Sequence, residues 1–228
     1  MKSASADLLV ENLQRLVPGA NLSWQPVPET ELKGFFIEPE GANRPLSPEH
    51  ERQVMENPPF WSLLWPSGFR LCRMLSQISM RSRYCVDLGC GSGLLAAAAS
   101  AGGAARSVAA DCDPLALQAA RLNAAGNGQQ VEVTSVWIPE PCDTLILADF
   151  LYDAQNLPIL NEMATSADEV VVMDCRLRAL DVEGFHLLGQ FTGVGVPDLD
   201  PCKEFGTLCF WYRGPRAQEW QLALEATV

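Results

Sequence analysis

The chain has 228 residues, enough for one large domain or for a domain with a short accessory segment. Sixteen Lys and Arg against 28 Asp and Glu give a formal charge of −12, which excludes a broad positive surface and disfavours a nucleic-acid partner. Eight cysteines without a C-x-x-C pair, and two histidines far apart at His50 and His186, argue for core thiols in a reducing compartment and against a metal site.

Residues 1–57 read as a polar, Pro-rich accessory segment with a helix over Ala6–Leu16 and a strand-like patch at Gly34–Ile37. The N-terminus lacks an apolar stretch followed by a cleavage site, and Asp7 and Glu11 argue against a transit peptide, so a cytoplasmic location is expected. From Pro58 onward short apolar runs alternate with helical patterns, and residues 58–228 read as one α/β domain on a mostly parallel sheet. Strands are expected at Tyr84–Leu88, Ser107–Ala110, Val131–Ser135, Thr144–Ala148 and Glu169–Asp174. Between them lie helices: Gly68–Gln77 first, then the Ala/Leu-rich Gly93–Ala101, then one capped by Asp113 with Pro114 at its first position and ending near Gly126 or Gly128. Phe185–Phe191 and Thr207–Tyr212 are joined by a Gly/Pro/Asp loop, which suggests an antiparallel hairpin on one edge. The stretch Cys85–Ala110 is apolar, but its glycines, Asp87 and Arg106 interrupt it, so no membrane span is expected there.

The chemistry concentrates in Asp87-Leu88-Gly89-Cys90-Gly91-Ser92-Gly93. An acid ends the first strand of the domain, and three alternating glycines open the following helix. Glycine permits positive φ and close backbone approach, so a ligand can lie against the main chain there. Asp111 follows the second strand, where a carboxylate can accept both ribose hydroxyls of a nucleoside. A dinucleotide site competes, because Gly91-Ser92-Gly93-Leu94-Leu95-Ala96 fits a relaxed G-x-G-x-x-[GA]. Such a site must receive a pyrophosphate, which Asp87 would repel. A nucleoside carrying an ammonium and a sulfonium meets no such penalty.

With Ala-Ala-Asp111-Cys112-Asp113-Pro and Arg121-Leu-Asn123, the loop resembles class I S-adenosylmethionine-dependent methyltransferases. Further segments resemble the seven-β-strand protein-lysine methyltransferases, among them the electron transfer flavoprotein β-subunit lysine methyltransferases. These are Pro58-Pro59-Phe60-Trp61, Trp65-Pro66-Ser67-Gly68, Ala148-Asp149-Phe150-Leu151-Tyr152-Asp153 and Met173-Asp174-Cys175-Arg176. The resemblance implies a Rossmann-like seven-stranded sheet and S-adenosyl-L-methionine as cofactor. It implies that Trp65 and Gly68 approach the cofactor, that Asp87, Gly89, Gly91 and Gly93 surround its methionine end, and that Asp111, with Cys112 beside it, takes the ribose. Asp149 and Tyr152 match a D-x-x-Y motif that flanks the acceptor and carries the catalytic assignment, with Asp149 also bordering the cofactor. The chain departs from the pattern twice. Trp137 stands in the region where an acid or amide often lines adenine, and is read either as stacking on the base or as core. Ser67 replaces the first glycine of a W-P-G-G turn.

The resemblance further implies a protein substrate presenting a lysine. Methyl transfer from a sulfonium is a direct displacement, so the protein must align the acceptor lone pair and exclude water. Asp149 would hold the arriving ammonium, with an attraction of about 4 kcal/mol at ~4 Å and an effective dielectric near 20. Two other readings stay open: a small-molecule acceptor, favoured if the N-terminal segment closes the acceptor pocket, and a non-catalytic binding protein. Asp149 also has a structural reading, as a strand-end cap for a helix starting near Asp153, and Trp61 reads best as packing. Asn57-Pro58-Pro59-Phe60 is similar to the N-P-P-[YF] signature of DNA adenine and protein-glutamine methyltransferases, but it precedes the first strand instead of following the fourth, in an acidic chain. The loop Gly193–Glu204 is a candidate partner contact.

Overall fold

The computed structural model describes residues 4–135, 140–151, 154–199 and 206–227. In chain order the elements are α1 (Ala4–Leu16), β1 (Leu22–Pro26), β2 (Lys33–Ile37), α2 (Pro39–Ala42), α3 (Pro48–Glu56), α4 (Pro66–Leu75), β3 (Tyr84–Leu88), α5 (Leu94–Ala101), β4 (Arg106–Ala110), α6 (Pro114–Gly126), β5 (Glu132–Thr134), β6 (Cys142–Ala148), α7 (Leu157–Ala164), β7 (Ala167–Asp174), β8 (His186–Thr192), β9 (Thr207–Arg213) and α8 (Ala217–Ala226).

A seven-stranded sheet runs in the order β5-β4-β3-β6-β7-β9-β8. The strands β5, β4, β3, β6 and β7 are mutually parallel, while β9 pairs antiparallel with both β7 and β8, which makes the expected edge hairpin. The central strands are buried along almost their whole length, as apolar runs covered on both faces should be. One core layer joins α4, α5 and α8 to the sheet, and a second packs Leu160 of α7 against Val86, Leu145 and Val172. In α5, six successive residues from Leu94 to Ala99 are buried, and the small alanines let it lie close to the sheet and to α6. Asp113 caps α6 as its sequence predicts, accepting the amide of Leu115 at 2.8 Å with Pro114 in the first turn.

The N-terminal segment carries more structure than its composition suggests. The expected helix and strand are α1 and β2; β1, which pairs with β2, and the helices α2 and α3 are additional to them. Ser47 caps α3 by accepting the amide of His50, and Pro48 sits in the first turn. Helix α8 was likewise not expected from the sequence. A buried ionic cluster ties it down: Glu169 of β7 meets Arg216, Arg83, the Tyr212 hydroxyl, the Thr144 hydroxyl and the Trp220 indole. Among the described residues no helix is long and apolar enough to cross a membrane.

Candidate active site

Between β3 and β6 the order of connections reverses, since the chain runs outward from β3 through β4 to β5 and then returns to β6 and β7. Such a switch point leaves a crevice beyond the carboxyl ends of the strands. Because β3, β4, β6 and β7 are parallel, Asp87, Asp111, Asp149 and Asp174 all emerge on this one edge. A cavity of about 710 Å³ opens there, lined among others by Trp65, Gly68, Asp87, Gly89, Gly91, Asp111, Cys112 and Asp149. The volume is in the range of small-molecule and cofactor sites.

The glycine loop forms the cavity floor. Gly89, Gly91 and Gly93 all have positive φ, at 71°, 49° and 72°, but they serve different ends. A Cβ on Gly89 would strike the Phe150 ring at 2.6 Å, and one on Gly93 would strike Ala120 at 2.3 Å. Of the three, only at Gly91 would a Cβ meet no clash, its nearest neighbour being the Phe60 carbonyl at an ordinary contact distance of 3.7 Å. Thus Gly91 brings the main chain to the cavity, whereas Gly93, which does not line the cavity, lets α5 pack on α6. The arch from Pro58 to Trp65 closes over the loop, and it is pinned by the Trp65 indole, which donates to the Phe60 carbonyl at 3.2 Å and meets its ring edge-on. Trp61 is buried against α1, β2 and α6 and borders the cavity as well, consistent with a packing role.

Asp111 is oriented from two sides. One carboxylate oxygen accepts the Gly91 amide at 2.9 Å and the other the Asp113 amide at 2.9 Å, so the acid and the glycine loop are one unit. Cys112, next to it, is exposed at the cavity, while the other described cysteines are free and buried. Asp87 is 2% exposed and accepts the Ala96 amide at 3.2 Å. Burial, together with the nearby Asp111 carboxylate, pushes it up to about 7, with the Ala96 amide opposing.

Asp149 has a left-handed backbone, φ 48°, uncommon for any residue but glycine. Its amide donates to the Met173 carbonyl at 2.9 Å. One carboxylate oxygen accepts the Ser67 hydroxyl at 2.8 Å and the Cys175 amide at 3.1 Å, and the other accepts the Ser67 amide at 3.2 Å. Burial and the Asp174 carboxylate push it up to about 6 against these hydrogen bonds. Its partners lie on α4 and past the end of β7, so the carboxylate is not a cap for the helix that follows it. That helix, α7, begins at Leu157, after a short 3-10 turn over Ala154–Asn156. Asp149, Asp174 and Cys175 bring ligand-type atoms within 4.8 Å of one another. Those carboxylates are already engaged: Asp174 accepts the amides of Leu151, Arg176 and Leu177. Burial also raises the Cys175 thiol far above its ordinary range, which keeps it protonated.

Two expected site residues, Trp137 and Tyr152, lie outside the described residues. The sequence reading missed Ser67 as a partner of Asp149, and Phe150, Asn156 and Arg176 as cavity-lining residues. For Ser67 the signal was its departure from the W-P-G-G turn.

Comparison with known proteins agrees with this geometry. Residues 70–173 match the model of the ribosomal protein L11 methyltransferase family. The electron transfer flavoprotein β-subunit lysine methyltransferase of Xenopus laevis is 38% identical over 110 residues, 45% of this chain and 44% of that protein. Its Danio rerio counterpart is 32% identical over 155 residues, 59% of this chain and 57% of that one. The chain therefore spans about half the length of these curated relatives. The N-methyltransferase NodS from Bradyrhizobium japonicum, solved with S-adenosyl-L-homocysteine, superposes with a TM-score of 0.50 at 14% identity, covering 72% of this chain and 91% of that one. The shared architecture is a Rossmann-like fold built on a mostly parallel sheet.

Proposed function

We propose that this chain, a class I methyltransferase in its fold and its family match, binds S-adenosylmethionine at the carboxyl edge of its sheet and methylates a lysine of a protein acceptor. The observation that carries the reading is a cavity lined by three carboxylates, those of Asp87, Asp111 and Asp149, together with Gly91. A pyrophosphate would be repelled by these carboxylates, whereas an ammonium and a sulfonium are attracted. The clash-free side of Gly91 fits a ligand lying against the main chain.

When bound, the cofactor supplies an electrophilic methyl group on a cationic sulfur. We assign Gly89, Gly91 and Asp87 to its methionine end and Asp111, with Cys112 beside it, to the ribose. Trp65 and Gly68 close the near wall, and Gly93 acts through the packing of α5 on α6. Trp137 is kept as a candidate for the adenine side and Tyr152 for the acceptor mouth. Asp149 receives the acceptor ammonium. Only the neutral amine has a lone pair to offer, so the proton must leave before transfer. With a carboxyl near 6, Asp149 is a far weaker base than a lysine amine, so it binds and orients the acceptor while burial beside a cationic sulfur eases loss of the proton to solvent.

A small-molecule acceptor is the second reading, because Asn12, Arg15 and Leu16 of the N-terminal segment also line the cavity. These come from α1, which packs on α6, the helix after Asp111, and Glu56 and Asn57 of the same segment line the cavity too. The relatives' lysine acceptors support the protein reading. We assign residues 1–57 to an accessory segment, residues 58–228 to the catalytic domain, and the protein to the cytosol, a reducing compartment that suits its free cysteines.

The test separates binding from transfer. D149A should lose methyl transfer by about 10²-fold or more, well beyond any weakening of cofactor binding measured separately. In a lysate supplied with methyl-labelled cofactor, the wild-type protein should mark lysines on one or a few protein bands. Label found in small molecules alone would refute the protein-lysine reading.

A further inference from the structure

Ser67 is fully buried in the first turn of α4 and does not line the cavity, yet both of its donors end on Asp149. The amide is one of the donors that a helix start leaves without an intrahelical partner, and here the carboxylate takes it. A glycine at this position, as in the W-P-G-G turn that the sequence otherwise resembles, would supply that amide and nothing more. The serine hydroxyl adds a second donor at 2.8 Å. We propose that Ser67 is the positioning residue for Asp149, its hydroxyl and amide together holding the carboxylate in the one orientation in which it receives the acceptor. The inference rests on the role assigned to Asp149 above and adds the residue through which that role is set.

Three features of the site support it. Asp149 sits in a left-handed backbone conformation, and such a conformation persists only where its surroundings over-determine it. The Ser67 pair and the Cys175 amide grip the side chain from α4 and from the end of β7. Among the described residues, the ionisable groups that act on Asp149 come from β7 and the residue after it. Asp174 opposes its negative charge, and the Cys175 thiol favours it by hydrogen bonding. From α4 it is met by the two donors of Ser67. Without the hydroxyl, burial and Asp174 act against one donor fewer, so the carboxyl takes up a proton at higher pH. A protonated Asp149 has no charge to offer an ammonium.

The test uses S67A and S67G, which both delete the hydroxyl and keep the amide. In the chain without cofactor, with ¹³C-labelled aspartate carboxyls and the Asp149 signal assigned by its loss in D149N, both variants should move the Asp149 titration midpoint up by about one pH unit. In steady-state assays the acceptor kcat/KM should fall by about two-fold at the variants' midpoint and approach a tenfold loss below the wild-type midpoint, recovering as pH rises, while cofactor affinity stays within two-fold. A midpoint that stays put in two folded variants would overturn the inference. A midpoint that moves while the pH profile of transfer stays fixed would uphold the Ser67–Asp149 coupling and remove the orienting role of Asp149. Should S67G unfold, S67A carries the same reading, since alanine retains helix propensity at that turn.

Discussion

Replacing Asp87 by Asn should make the chain more stable and a worse binder at once. The carboxyl is raised from 3.8 to about 7 by burial first and by Asp111 second. A carboxyl raised in the folded state favours folding fully below its unfolded value and loses that contribution as pH rises through the folded value, so at pH 8 the buried charge is a cost. The rise corresponds to about 4 kcal/mol at 1.4 kcal/mol per pH unit, an upper figure for a group so buried. Asn is nearly isosteric and its side-chain oxygen still accepts the Ala96 amide, so the packing term is small. Taking half of that figure, about 2 kcal/mol, the thermal midpoint of the ligand-free variant at pH 8 should rise by about 4–8 °C for a chain of this length. The cofactor loses its anionic neighbour: a pair of unit charges about 5 Å apart at an effective dielectric near 20 attracts by about 3 kcal/mol, or roughly 10²-fold in Kd. Scanning calorimetry on the ligand-free protein and titration calorimetry with S-adenosylmethionine, each at pH 8 and pH 5.5, read both effects. At pH 5.5 the Asp87 carboxyl is protonated in the folded wild type but still ionised in the unfolded chain, so the stability gap should narrow there and close only below the unfolded value of 3.8, while the affinities draw together. A D87N chain less stable than wild type at pH 8, or equal to it in affinity there, would refute the argument that the buried charge is kept for a cationic ligand.

Two further predictions concern the framework. E169A should cost about 3–5 kcal/mol by urea denaturation, because it leaves Arg216 and Arg83 without their buried counter-ion and detaches α8. Burial acts to raise Glu169, but hydrogen bonds from Arg216, Thr144 and Tyr212 outweigh it and the carboxyl lies below its ordinary value. Its stabilisation is therefore present above about pH 4.5 and lost as pH falls through the lowered value, so wild type and variant should converge in acid. N123A should cost about 1–3 kcal/mol and weaken cofactor binding several-fold, since the buried Asn123 accepts the Phe35 amide and donates to the Ser92 carbonyl, each at 2.8 Å. Hydrogen exchange should speed up at Phe35 and around the glycine loop together; faster exchange in the hairpin alone would show that the two are not coupled through Asn123.

Much of this molecule was legible in its sequence, and the reason is periodicity. Strand β3 was bounded to the residue, and α6 was capped as expected, because Asp113-Pro114 is a local signal that tertiary structure had no cause to override. The glycine loop was legible because positive φ at Gly89, Gly91 and Gly93 demands that residue type. What escaped were elements whose burial comes from partners distant in sequence. Strand β1 forms by pairing with β2, and β2 docks through backbone bonds to Asn123 and Asn127, about 90 residues on. Helix α8 depends on Glu169, reached across the sheet.

The site divides in the same way. Its acids could be read from the chain because each follows an apolar strand, and a parallel sheet must deliver them to one edge. That Gly93 serves packing and Gly91 the cavity, that Asp149 turns to Ser67 instead of capping α7, and that α1 helps line the cavity were decided by tertiary structure alone. These are contacts between groups far apart in sequence, and no local pattern encodes which of several suitable partners the folded chain brings within hydrogen-bonding distance.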